Sequence, residues 1–180
     1  CSNIRLLHNT SNHRTVESTN NQERIKSLSK LGNELLSLAK AVDNELVLWL
    51  ESDLIIKNNT VEKLVESYNL LVKQEKVHGV VVSPNVLLGH LFYDTWGFRD
   101  LNGRQWNNRR YPTNKGLIKV GSVGSCALFS SALLRDGVNF GNGGFIEFCH
   151  KARLAGIKVF VDTNLSIDHP NNELVNIRWI

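Results

Sequence analysis

The run Glu45-Leu46-Val47-Leu48-Trp49-Leu50 sets five apolar residues in succession and ends on Glu51-Ser52-Asp53. An unbroken apolar run of strand length predicts a strand buried on both faces, which requires helices above and below a sheet. Gly79-Val80-Val81-Val82-Ser83, stopped by Pro84, and residues 157–162 read as further strands of that kind. Between them lie segments of helical period. Residues 22–40 carry Ile25, Leu28, Leu31, Leu35, Leu38 and Ala39 on one stripe, with Gly32 interrupting it, and residues 60–74 carry Val61, Leu64, Val65, Tyr68, Leu71 and Val72. Asn59 with Glu62 has the spacing of a capping box. Shorter helices are expected at 130–135 and at 147–154, the latter closed by Gly156. Residues 4–8 and the Gly/Ser-interrupted stretch 118–128 complete the strand candidates. Strands alternating with helices predict an α/β sheet, at least partly parallel, in a single domain over 1–180.

The bulk numbers narrow the function classes. At 180 residues and 42% hydrophobic content, one well-buried core is expected and bulk disorder is not. No apolar run approaches the roughly 18 residues of a membrane span. The net charge of +4 is mild, and its densest cationic group, Arg99, Arg104, Arg109 and Arg110, sits within one loop-like segment. A phosphate-bearing small ligand or a solvated surface accounts for that group, and nucleic acid is not the expected partner. Cys1, Cys126 and Cys149 make no C-x-x-C pair and are odd in number, which favours a reducing, cytoplasmic setting. The chain begins with Cys and contains no Met, so it is read as a piece of a longer product.

Chemistry is expected first at Glu51 and Asp53. Residues two apart at a strand end point the same way, and the carboxyl ends of strands are where open α/β sheets bind ligands. Paired carboxylates there suit Mn²⁺ or Mg²⁺ against a diphosphate; a solvated acidic turn is the bland alternative. His169, just past a strand end in the turn Asp168-His169-Pro170, is placed to add an imidazole to the same metal, or to be a plain turn residue. Glu147 is a candidate general base, or simply a first-turn acid favourable to its helix dipole. Cys149 reads as a small buried hydrophobe. Residues 93–116, long, aperiodic and aromatic, read as a functional loop.

Taken in order, these motifs resemble the GT-A superfamily of glycosyltransferases, near the inverting family-two type and fungal capsule-related mannosyltransferases. Val47-Leu48-Trp49-Leu50-Glu51-Ser52-Asp53 resembles their strand ending in D-x-D, with Glu in the first place. Arg24-Ile25 through Asn33 resembles the helix before it. Phe92-Tyr93-Asp94-Thr95-Trp96-Gly97-Phe98-Arg99 is similar to a segment of some members. Residues 121–134 resemble the acceptor-side strand and helix, and Ile146-Glu147-Phe148-Cys149 through His169 the closing acidic helix, strand and histidine. Where many relatives have an acid inside G-E-D, two positions before Glu147, this chain has Gly144-Phe145. The resemblance implies a GT-A-like nucleotide-diphospho-sugar transferase fold, a mixed, mostly parallel sheet flanked by helices, whose first strand–helix–strand unit lies outside the chain. It implies transfer of a sugar from a nucleotide-sugar donor to a glycan or other hydroxyl acceptor. Glu51, Asp53 and His169 would hold the metal, Glu147 would be the base, and Trp96 and Arg99 would shape the donor and acceptor site. A non-catalytic GT-A-like glycan-binding or structural module is the alternative.

Overall fold

The computed structural model describes residues 22–41, 45–107 and 115–170. Along the chain these form α1 (Gln22–Ala41), β1 (Leu46–Leu50), α2 (Thr60–Glu75), β2 (Val80–Leu88), β3 (Leu91–Phe92), β4 (Leu117–Val120), β5 (Cys126–Ser130), α3 (Ala132–Arg135), α4 (Gly144–Leu154) and β6 (Lys158–Asp168). The expected strand at 4–8, Cys1, Arg109 and Arg110 lie outside the described residues. No helix among the described residues is long and apolar enough to cross a membrane.

The sheet runs β1-β5-β2-β6-β4, with β3 paired to β2. Of these pairings β2 with β6 is parallel, and the other four are antiparallel. The expectation of a mostly parallel sheet is thereby corrected: this is a mixed α/β fold whose open sheet is mostly antiparallel. The cause is insertion. β1 and β2 share a direction across the α2 crossover, since both run against β5, and β6 runs with β2. Strand–helix–strand alternation sets that shared direction, but it does not say what lies between the two strands. Here β5 fills the gap in reverse, and β4 runs in reverse beside β6.

Both faces of the sheet are covered, which is why its strands read as unbroken apolar runs. On one face Val80, Val82, Leu128, Phe160 and Ile167 pack with Leu64, Tyr68 and Leu71 of α2. On the other, Val81, Phe129, Val159 and Val161 pack with Leu36 of α1, Leu133 and Leu134 of α3, and Phe145 and Phe148 of α4. β1 departs from expectation: it ends the strand order among the described residues and is half-buried rather than buried on both sides. Gly32 is explained by close approach, because a Cβ there would enter the Phe140 ring, so α1 sits directly on that side chain.

Four local expectations also change. Asn59 occupies the α2 N-cap with φ 64° and makes no side-chain cap bond, so the capping box does not form. β2 continues through Pro84 at a register shift against β6, the kind of bulge that accommodates a residue without an N–H. The 118–128 stretch divides into β4 and β5 around residues 121–125. β6 extends to Asp168, which places that residue in the strand, paired with Leu87, instead of in a turn.

Candidate functional site

Because β1, β2 and β6 share a direction, their carboxyl ends open on one edge of the sheet. Glu51 follows β1 directly, and its N–H donates to the Ser125 carbonyl at 2.9 Å. The chain then returns to the end of β6: Ile55 and Asp168 exchange backbone hydrogen bonds of 2.7 and 3.1 Å. The His169 N–H donates to the Leu87 carbonyl at 2.8 Å, tying the same point to the end of β2. These bonds bring Asp53 and His169, 116 residues apart, to 3.2 Å between Oδ2 and Nε2. Lys57 lies 3.4 Å from Asp168 on the outer rim.

The His169 ring is fixed on its other sides. Tyr93 stacks on it with centroids 3.7 Å apart and planes inclined by 19°, and the ring is 9% exposed. Its Nδ1 lies 2.9 Å from the Pro170 carbonyl oxygen, an atom that only accepts, so Nδ1 carries the hydrogen. In the neutral ring Nε2 then presents a lone pair, and it faces a carboxylate oxygen of Asp53. Two lone pairs at that distance repel. Either a proton on Nε2 or a cation bound by both atoms would satisfy the pair. A histidine whose far nitrogen is anchored on a carbonyl is the arrangement that orients metal-ligating imidazoles.

Glu51 stands close enough to feel both residues. Its side chain is exposed at the surface, while the protein packed around it still removes part of the water from its carboxyl. That burial, then the negative charges of Asp94 and Asp53, push it up to about 7. The Ser125 hydroxyl and the His169 ring act in the opposite direction. Among the described residues no three His, Cys, Asp or Glu side chains are gathered tightly enough to form a ready-made metal cage. What the geometry offers is a two-donor mouth, Asp53 Oδ2 and His169 Nε2, with a third carboxyl nearby. These are the residues at this edge that could hold a divalent cation, with water completing its shell.

Glu147 has other partners. Its Oε2 accepts the N–H groups of Asn142 at 2.9 Å and Gly143 at 2.8 Å, and its Oε1 is 3.0 Å from the Lys151 ammonium. Lys151, followed by the two backbone N–H groups, holds the carboxyl below its ordinary range. These bonds close the first turn of α4, where backbone donors have no intrahelical acceptor. Phe145 is buried among Phe129, Phe140, Phe148 and Trp49. Where relatives by resemblance carry an acid, this residue belongs to the aromatic core.

The 93–116 segment is ordered where it is described. Phe92, Phe98 and Trp106 pack ring to ring at 5.0–5.7 Å, and Arg99 bridges to Gln105 and Ser122. Arg99 turns inward: its Nη1 donates to the carbonyls of Trp96 at 2.5 Å, Phe98 at 2.9 Å and Thr95 at 3.4 Å. Trp96 is half-buried and lies beside Gly143 in a cavity of about 230 Å³ also lined by Gln22, Ile25, Lys26 and Asn142. A neighbouring cavity of about 550 Å³ shares Lys26 and Asn142 and continues along α1 past Lys30 and Asn33.

The edge is thus built by residues the sequence reading named, Glu51, Asp53 and His169, together with three to which it gave no role: Tyr93, Asp94 and Ser125. Asp94 and Tyr93 fall within the quoted Phe92–Arg99 segment, and Ser125 within the Gly/Ser-rich stretch; those were the available signals. Cys149 is fully buried and its thiol is pushed up to about 12 by desolvation, in keeping with a core role. A scan against protein-family models gives no match for this chain, and a search of curated proteins gives none either.

Proposed function

We propose that this chain is the catalytic part of a GT-A-like glycosyltransferase, moving a sugar from a nucleotide-sugar donor to an acceptor hydroxyl with Mn²⁺ or Mg²⁺. The observation that carries the reading is the meeting of Asp53 and His169 at the carboxyl ends of β1 and β6, with Glu51 beside them. In this reading Asp53 and His169 hold the cation and Glu51 adds negative charge at the same mouth. When bound, the cation offsets charge developing on the departing nucleoside diphosphate. The Trp96 face and the cavity next to it suit a sugar ring, and Arg99 keeps the Trp96 turn in shape through its three carbonyl contacts.

Calorimetry with Mn²⁺, followed by hydrolysis assays on a panel of nucleotide sugars, tests the proposal. Binding of Mn²⁺ and metal-dependent turnover are expected, both lost in Asp53→Ala. Turnover unchanged in that variant removes the metal role.

A second reading, a non-catalytic glycan-binding or structural module of the same architecture, draws on Glu147 and Phe145. The only acid named as a base is engaged with two backbone donors and a lysine, and Phe145 is buried. It expects glycan binding with no metal-dependent donor binding.

A further inference from the structure

Asp94 is a buried acid without a role in what precedes. It is 6% exposed, and both carboxyl oxygens are taken by backbone donors: Oδ1 by the Gly97 N–H at 3.2 Å and Oδ2 by the Ser125 N–H at 2.7 Å. The Ser125 side chain lies close enough to the Asp94 and Glu51 carboxyls to favour the charged form of each. The Ser125 carbonyl accepts the Glu51 N–H. Two glycines make room for the carboxyl. A Cβ on Gly97 would sit 2.6 Å from the Gly124 Cα, and one on Gly124 would overlap the Asp94 carboxyl itself. Burial pushes the Asp94 carboxyl up, the backbone donors oppose this, and Arg99 contributes only a distant attraction. A buried acid with no cationic side chain in direct contact among the described residues is a poor way to stabilise a core, since an apolar side chain avoids the desolvation cost. It does one thing an apolar residue cannot: it gives two converging N–H groups an acceptor each. An Asn would offer one acceptor and turn its NH₂ toward the other donor.

We infer that Asp94 is a positioning residue for the proposed site: it clamps the turn bearing Trp96 and Arg99 to Ser125, and through Ser125 holds Glu51 at the mouth shared with Asp53 and His169. The inference rests on the metal-site reading for its consequence, but the clamp itself stands on contacts independent of any metal. The Trp96 turn and the acidic mouth then move as one body. Loss of the clamp loosens Glu51 and the turn together while the two packed faces of the sheet remain.

The test uses the full chain with Asp94→Asn, Ser125→Ala and, as a core-destabilised control on the opposite face, Leu71→Ala. Amide hydrogen exchange reports the clamp and Mn²⁺ calorimetry reports its consequence. In Asp94→Asn the Glu51, Gly97 and Ser125 amides are expected to exchange about tenfold faster with the Val159 and Val161 amides unchanged, and Mn²⁺ affinity to fall roughly tenfold, the usual effect of losing a residue that supports ligands from behind. Leu71→Ala is expected to melt earlier and keep its Mn²⁺ affinity within about twofold. Ser125→Ala keeps the backbone bonds to Asp94 and Glu51, so it is expected to leave Gly97 exchange and Mn²⁺ affinity close to wild type. If Asp94→Asn does not fold, exchange in the wild type decides the matter: the Glu51, Gly97 and Ser125 amides are expected to open with one common free energy, and separate opening overturns the clamp. Wild-type exchange at Glu51 in folded Asp94→Asn overturns the inference, as does equal loss of Mn²⁺ affinity in Leu71→Ala. If the wild-type chain binds no Mn²⁺, the metal reading falls and the exchange arm alone settles the clamp.

Discussion

At the scale of single residues, Glu51 gives the cleanest measurable consequence. Its carboxyl titrates near 7 in the folded chain against an ordinary value of 4.5. Between those values the folded state holds a proton that the unfolded state has released. Stability therefore falls as pH rises through that window and is flat above it. Glu51→Gln removes the group, so without metal the variant is expected to match the wild type near pH 4 and to exceed it at pH 8. The advantage is about 1 kcal/mol once solvent screening of a part-exposed group is allowed for. Urea titrations at pH 4, 6 and 8 check this, and a pH-independent difference refutes the raised carboxyl. Glu51 and Asp53 were legible because a strand-end acid pair is a local pattern. Asp94 was not. Its burial depends on Gly97 meeting Gly124 across the fold, and no spacing in the sequence announces a contact made by two missing side chains.

At the scale of elements, α4 and β5 show what local pattern settles and what it leaves open. The helical stripe and the Gly156 stop located α4, but the chain enters the helix at Gly144, three residues earlier than the 147–154 expectation. Glu147 therefore sits inside the first turn, where its carboxylate can reach back to the N–H groups of Asn142 and Gly143. That geometry separates two roles experimentally. As a brace, Glu147→Gln keeps one amide oxygen as acceptor but loses the Lys151 pair, a cost of about 0.5–1 kcal/mol, with kcat close to wild type. As a general base, the same change removes proton transfer and lowers kcat by about 10²–10⁴-fold with little change in melting temperature. Thermal melts beside donor turnover distinguish them, and the bonds in place favour the brace. β5 escaped the pattern for a different reason. Its apolar run was visible, but strand order is decided by which faces bury together, and Cys126–Ser130 carries apolar residues toward both layers and so fits between β1 and β2.

At the scale of the whole molecule, the site and the fold share the same long-range contacts. Asp53 follows β1 and His169 follows β6, and the described strands between them in the chain form the body of the sheet. No single element carries both donors, so the pair exists only when the sheet is assembled from β1 through β6. A cation held by both therefore binds the native state and not the unfolded chain, and its binding energy appears as global stability. At a hundredfold excess over the dissociation constant the gain is about 2.7 kcal/mol, equivalent to a rise of about 5–10 °C in melting temperature for a chain of this size. The rise is expected with Mn²⁺ and to vanish in both Asp53→Ala and His169→Ala, because each variant leaves the other donor alone at its own strand end. Ile55 and Asp168 hold the two strand ends together through the backbone, so neither substitution should itself open the edge of the sheet. Melting curves of the three chains with and without Mn²⁺ decide it. A shift that survives in His169→Ala places the cation on the acids alone and detaches β6 from the site, whereas loss in both variants makes assembly of the sheet and capture of the metal one event.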